Sequence, residues 1–149
     1  MTGSLKDIYR QRVLEHSRAP HNQRRTAAAD REVTGFNPLC GDKVTVYLDL
    51  QDDSVSDVAF EGSGCAIAMA SASMMTEALR GLPHDTALQL IEEFGQMFAA
   101  DAEPENPRLE EAKALHSVRA YPSRVKCATL AWNTAEAALH DSNVQVTTE

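Results

Sequence analysis

Cysteine occurs only three times in 149 residues, an odd number that fits no closed disulfide framework. Also missing is any apolar run approaching the roughly 18 residues of a membrane span. The opening stretch MTGSLKDIYRQRVLEH has no apolar block of the signal-peptide kind. Together these absences exclude a membrane partner and lead to the expectation of a cytoplasmic chain with reduced thiols. Cations are short as well: 14 Lys and Arg stand against 22 Asp and Glu, for a net charge of -8. Phosphate binding needs clustered cations, so nucleic acid is excluded as the main partner.

What is present is an ordinary globular composition, 43% hydrophobic and 24% charged. The length suits a single domain over residues 1–149 with a real core. Charge is distributed unevenly. Residues 1–32 are rich in arginine, whereas residues 84–111 carry eight acids and one cation, Arg108. Two readings apply: solvated faces of opposite sign, or a docking surface for a protein partner, with the basic N-terminal segment as the first place to look.

Residues 4–17 have helical spacing, with Leu5, Ile8, Tyr9 and Val13 on one face and Ser4 as N-cap. Pro20 ends the run. A short strand is expected over Glu32–Phe36. Lys43–Leu50 alternates apolar and polar residues, the period of a strand with one buried face. Gln51–Ser54 is a turn cluster, and Val55–Glu61 returns as the antiparallel partner. Helices follow over Ala66–Arg80, 84–100, 108–118 and Pro122–His140, and residues 141–149 read as a polar, flexible tail. Strands first and helices afterwards indicate an α+β fold, a small three-stranded antiparallel sheet covered by helices.

The three thiols share a local setting. Cys40 lies between Pro38 and Gly41 just before a strand, Cys65 follows Gly62-Ser63-Gly64 at a helix start, and Cys127 lies near the start of the last helix. Structural cysteines usually sit inside apolar runs, and none of these does. The partial positive charge of a helix N-terminus would lower the pKa of Cys65 and Cys127. A hairpin would bring Cys40 and Cys65 to one end of the sheet, and a returning helical layer would add Cys127. Asp42 could then supply a fourth ligand, and three thiolates with one carboxylate suit tetrahedral zinc. Spacing leaves two readings open: a shared metal site, or unrelated cysteines in turns.

Three segments carry a resemblance: NPLCGD (residues 37–42), FEGSGCAIAMASASMMTEALRG (60–81) and SRVKCATLAW (123–132). In this order they resemble the IscU/NifU-like family of iron–sulfur assembly proteins, in its SUF-type, SufU-like branch. LKDIYRQRVLEHSRAPHN (5–22) is similar to that family's opening helix. Two features point to the branch. Scaffold-type members carry a histidine immediately before the third cysteine, where this chain has Lys126. SUF-type members carry an insertion between the second and third cysteines, matched here within residues 84–105.

The resemblance implies an IscU/NifU N-terminal-like fold and zinc held by Cys40, Asp42, Cys65 and Cys127. It implies sulfur accepted on Cys40 from a PLP-dependent cysteine desulfurase of the SufS type and passed towards the SufBCD assembly complex. A histidine of the desulfurase would take over a zinc position and release the Cys40 thiol. Arg124 matches a family arginine with a role in the transfer. The chain would act as a sulfurtransferase-like partner without turnover on a small substrate of its own. The alternative is a scaffold in which the same ligands hold a transient [2Fe–2S] cluster, since thiolates suit both. A zinc module used only for protein contacts is a third reading. His16, His21, His84, His116 and His140 have no cysteine neighbour and read as surface or capping residues, which disfavours a Cys–His hydrolase.

Overall fold

The alternating run at Lys43–Leu50 is the centre of the sheet. In the computed structural model, which describes residues 4–99, 103–141 and 146–148, it lies in β2 (Asp42–Gln51), between β1 (Arg31–Asn37) and β3 (Ser54–Ser63). Both neighbours run antiparallel to β2. Asp52 and Asp53 make the β2–β3 turn with positive φ, the conformation that matches strand twist in a tight hairpin. Val46 pairs with Phe60 and Leu48 with Val58, and all four are buried on the face that carries the helices.

The expected three-stranded, purely antiparallel sheet is corrected. A fourth strand, β4 (Val146–Thr147), lies beside β1 and parallel to it, through Gly35–Val146 and Phe36–Thr147. It falls within the segment read as a tail, where residues 142–145 and 149 lie outside the described residues. Two residues carry no readable periodicity. The edge of β1 offers unpaired backbone groups that even a polar segment can satisfy. The other edge is also covered. Phe60 of β3 exchanges backbone bonds with Asn22 and Arg24, and Val55 does so with Gly81 and Leu82.

Polar alternation on the outer face of β2 fails at Tyr47 and Asp49, which are both buried. The connection after the first helix folds across them. Ala28 and Ala29 N–H groups donate to Asp49 at 3.0 and 2.7 Å. Burial pushes the Asp49 pKa up, but bonds from Thr26, Ala28 and Ala29 outweigh it and bring it below the ordinary value.

Four α-helices lie on the other side, α2 (Ala66–Leu79), α3 (His84–Ala99) and α4 (Pro122–Leu139) against the sheet and α1 (Leu5–Arg18) outside them against α2. The Ser4 hydroxyl caps α1 by accepting from Asp7 N–H. Small residues let α2 contact α1, α4 and β3 at once. Trp132 of α4 is fully buried, stacks on Phe94 of α3 with ring centroids 3.9 Å apart, and donates to Ser71 of α2. The expected helix over 108–118 is a 3-10 stretch, Glu111–Ala120, preceded by a short one at Pro107–Leu109. Leu109, Ala112 and Leu115 are all buried at intervals of three, which matches three residues per turn.

Part of the charge asymmetry is used within the chain. Arg12 of α1 pairs with Glu111 at 3.2 Å and Glu110 at 3.7 Å. Among the described residues, no helix is long and apolar enough to cross a membrane.

Candidate metal centre

Asn37-Pro38-Leu39-Cys40-Gly41-Asp42 is the connection from β1 to β2. The N–H groups of Cys40 and Gly41 both turn back onto the Asn37 carbonyl, at 3.3 and 2.9 Å. Gly41 sits at φ +74°, a region that L-residues with a side chain seldom adopt. The tight turn splits the segment by exposure. Asn37 and Asp42 face each other across the strand pair and are fully buried, whereas Leu39 and Cys40 project at the exposed tip.

Cys65 is the N-cap of α2. Its sulfur accepts from Ala68 N–H at 3.4 Å, and its own N–H donates to Asp42 Oδ1 at 2.9 Å. The carboxylate comes so close to this turn that a Cβ on Gly64 would stand 2.5 Å from Asp42 Oδ1. Cys127 lies in the second turn of α4, 1% exposed, with its sulfur 3.3 Å from Cys40 Sγ. No disulfide joins the three.

Cys40, Asp42 and Cys127 offer ligand atoms that all lie within 4.8 Å of one another. The Cys65 thiol points at Asp42 Oδ2 from 4.0 Å, but it stands outside that tighter group. Arg124 is exposed in the first turn of α4, one turn before Cys127, and its side chain has no bonded partner among the described residues. Lys126 is exposed too.

The expected lowering of the Cys127 pKa is corrected. Burial pushes this thiol far up, and hydrogen bonds with Cys40, Cys65 and Asp42 push it further. Its position in the second helical turn places it past the unpaired N–H groups, so desolvation decides the sign. The histidine readings change as well. His16 is buried, with Nδ1 2.7 Å from Ser73 Oγ, and His116 is buried in the 3-10 stretch. His84 does cap: its Nε2 donates to the Leu139 carbonyl at the end of α4, at 2.7 Å. No histidine joins the cysteine group among the described residues.

The donor set fits a cation. Clustered thiols and a carboxylate, two of them fully buried, ionise together only around positive charge. Two thiolates each about 2.3 Å from one tetrahedral ion would stand roughly 3.8 Å apart, near the 3.3 Å between Cys40 and Cys127. The donors therefore suit zinc, and being mostly soft sulfur they suit an iron–sulfur cluster as well.

The NifU-like N-terminal domain matches residues 8–148. The chain belongs to this family. Within it, the zinc-dependent sulfurtransferase SufU of Bacillus subtilis (strain 168) is 39% identical over 134 residues, covering 89% of this chain and 90% of that protein. The iron–sulfur cluster assembly scaffold protein IscU of Streptococcus pyogenes serotype M1 is 37% identical over 138 residues, covering 93% and 86%. A crystal structure assigned as an iron–sulfur cluster assembly scaffold of the SUF system, from Fervidobacterium islandicum AW-1, superposes with a TM-score of 0.81 at 33% identity. It covers 91% of this chain and 99% of that one. The α+β fold of the NifU-like N-terminal domain is thereby established for this chain, and with it the IscU/SufU type of iron–sulfur assembly protein.

Buried Asn37 is the site residue that sequence reasoning overlooked. Its signal was available: an amide at the end of a strand, directly before the Pro38 turn that carries Cys40 and Asp42.

Proposed function

We propose that this chain is a zinc-dependent sulfur relay in iron–sulfur cluster assembly. It accepts persulfide sulfur from a SufS-type cysteine desulfurase and hands it to the SufBCD complex. The observation that carries this reading is the unequal exposure of the site: Asp42 and Cys127 are buried, while Cys40 stands at an exposed turn tip. Three groups can thus stay fixed while one thiol moves. The kinship with a zinc-dependent sulfurtransferase supports the same reading.

In this role Cys40, Asp42, Cys65 and Cys127 hold zinc, which keeps thiolates deprotonated without redox chemistry of its own. At the exposed tip, the Cys40 thiolate attacks the outer sulfur of the donor persulfide. A new S–S bond forms on Cys40, the donor S–S bond breaks, and the donor cysteine leaves as thiolate. Exposed Arg124, one turn before Cys127, is placed to draw an anionic persulfide towards the tip. A reactive free thiol of this kind suits a reducing cytoplasm.

The test mixes the protein with its desulfurase, cysteine and PLP. Faster alanine release and a persulfide on Cys40 are expected, and Arg124→Ala should slow the transfer. Normal stimulation and sulfur acceptance by Cys40→Ser would overturn the role of Cys40.

The scaffold reading has one observation in its favour, a donor set that suits a [2Fe–2S] cluster equally well. Lys126, in place of a histidine before Cys127, weighs against it. Stoichiometric iron and sulfide with a visible chromophore in aerobically purified protein would decide for the scaffold.

A further inference from the structure

A buried amide stands behind the proposed ligands. Asn37 closes β1 and is fully buried. Its side chain has two N–H hydrogens and one carbonyl oxygen, and all are engaged. Nδ2 donates to Asp42 Oδ2 at 3.0 Å and to Cys127 Sγ at 3.4 Å. Oδ1 accepts from the Thr148 hydroxyl at 2.9 Å. The surroundings dictate that orientation, because a flipped amide would turn its oxygen towards a carboxylate and a sulfur, both acceptors.

We infer that Asn37 is the positioning residue of the metal centre and that Thr148, just after the last strand, holds it in place. The inference rests on the metal-centre reading above. Asp42 has Oδ1 engaged by Cys65 N–H and Oδ2 by Asn37, so the plane of its carboxylate is set from two sides. The bond to Cys127 fixes the side from which that buried sulfur is approached. One amide thus links β2 and α4, the two elements that carry Asp42 and Cys127. Thr148 is anchored in turn, since its N–H donates to the Phe36 carbonyl at 3.0 Å beside the β1–β4 pairing. Thr148 of the C-terminal segment is therefore joined to the centre by hydrogen bonds through Asn37 to Asp42 and Cys127.

Outer-shell partners of metal ligands carry about 10–100-fold in affinity. Zinc affinity by chelator competition and the thiolate-to-cobalt charge-transfer band of the Co²⁺-loaded protein together test the idea. Asn37→Ala should weaken zinc by about 10–100-fold and shift the cobalt band, because the sulfur loses its donor. Thr148→Val removes only a hydroxyl at the sheet edge and should weaken zinc several-fold. It carries the test where Asn37→Ala does not fold. The double variant should be no weaker than Asn37→Ala alone, since Thr148 acts through Asn37. Unchanged affinity with an unmoved band in the variants overturns the inference while leaving the centre intact. Additive losses overturn the link to Thr148. Wild-type protein that shows no thiolate–cobalt band overturns the metal-centre reading itself.

Discussion

Asp42 holds the centre together at the scale of single residues. Its carboxylate accepts from the Cys65 N–H and the Asn37 amide, so its removal leaves that N–H and one hydrogen of the buried amide unpaired, besides deleting a proposed anionic ligand. Asp42→Ala should lower zinc affinity by at least about tenfold in chelator competition. Gly64→Ala is the finer probe, because its Cβ would collide with Asp42 Oδ1. We expect about 1–3 kcal/mol of destabilisation in denaturant titration, accompanied by weaker metal binding. The thiols and Asp42 were legible in the sequence because turn residues and element ends mark them. Burial was not: Cys127 near a predicted helix start reads as accessible, yet its face of α4 is covered while Lys126 beside it is exposed. Asn37 escaped because polarity at a strand end normally signals solvent.

Elements carry a pH dependence. His84, at the start of α3, donates to the Leu139 carbonyl at the end of α4, and this bond, then Asp85, raises its pKa above the ordinary value. A histidine whose pKa is raised by folding stabilises fully below its unfolded value of about 6.5. That contribution fades as pH rises through the folded value. The melting temperature of wild type should therefore exceed that of His84→Ala by more at pH 5.5 than at pH 8.5. An equal difference at both would remove the charge from the account. The strands of the hairpin were readable from their period of two. The 3-10 stretch was read as an α-helix because buried positions three apart satisfy either period over a short window. β4 is too short to have any period, and it docks because β1 needed a partner.

The core of the whole molecule extends far beyond the centre, although Cys127 belongs to both. Trp132 and Phe94 stack in a layer of helices that includes α2 and α3, and the buried face of the sheet completes it. Chelation of the metal should accordingly lower the melting temperature while far-UV helix signal persists; its loss on chelation would show that metal and fold are inseparable, as in small zinc modules. Phe94→Ala should cost about 3–5 kcal/mol, read through the fluorescence of Trp132, the single tryptophan. Helices after strands indicated the α+β class correctly. The strand count fell short because one edge was filled from the far end of the chain.

That filling has a further result. The described backbone bonds cover β1 with β4, and β3 with residues 22–24 and 81–82. Partly occupied in this way, each flank offers a shorter template for a visiting strand. Under the proposed relay, a donor protein that meets the exposed turn between β1 and β2 would dock and reach Cys40 in a single event.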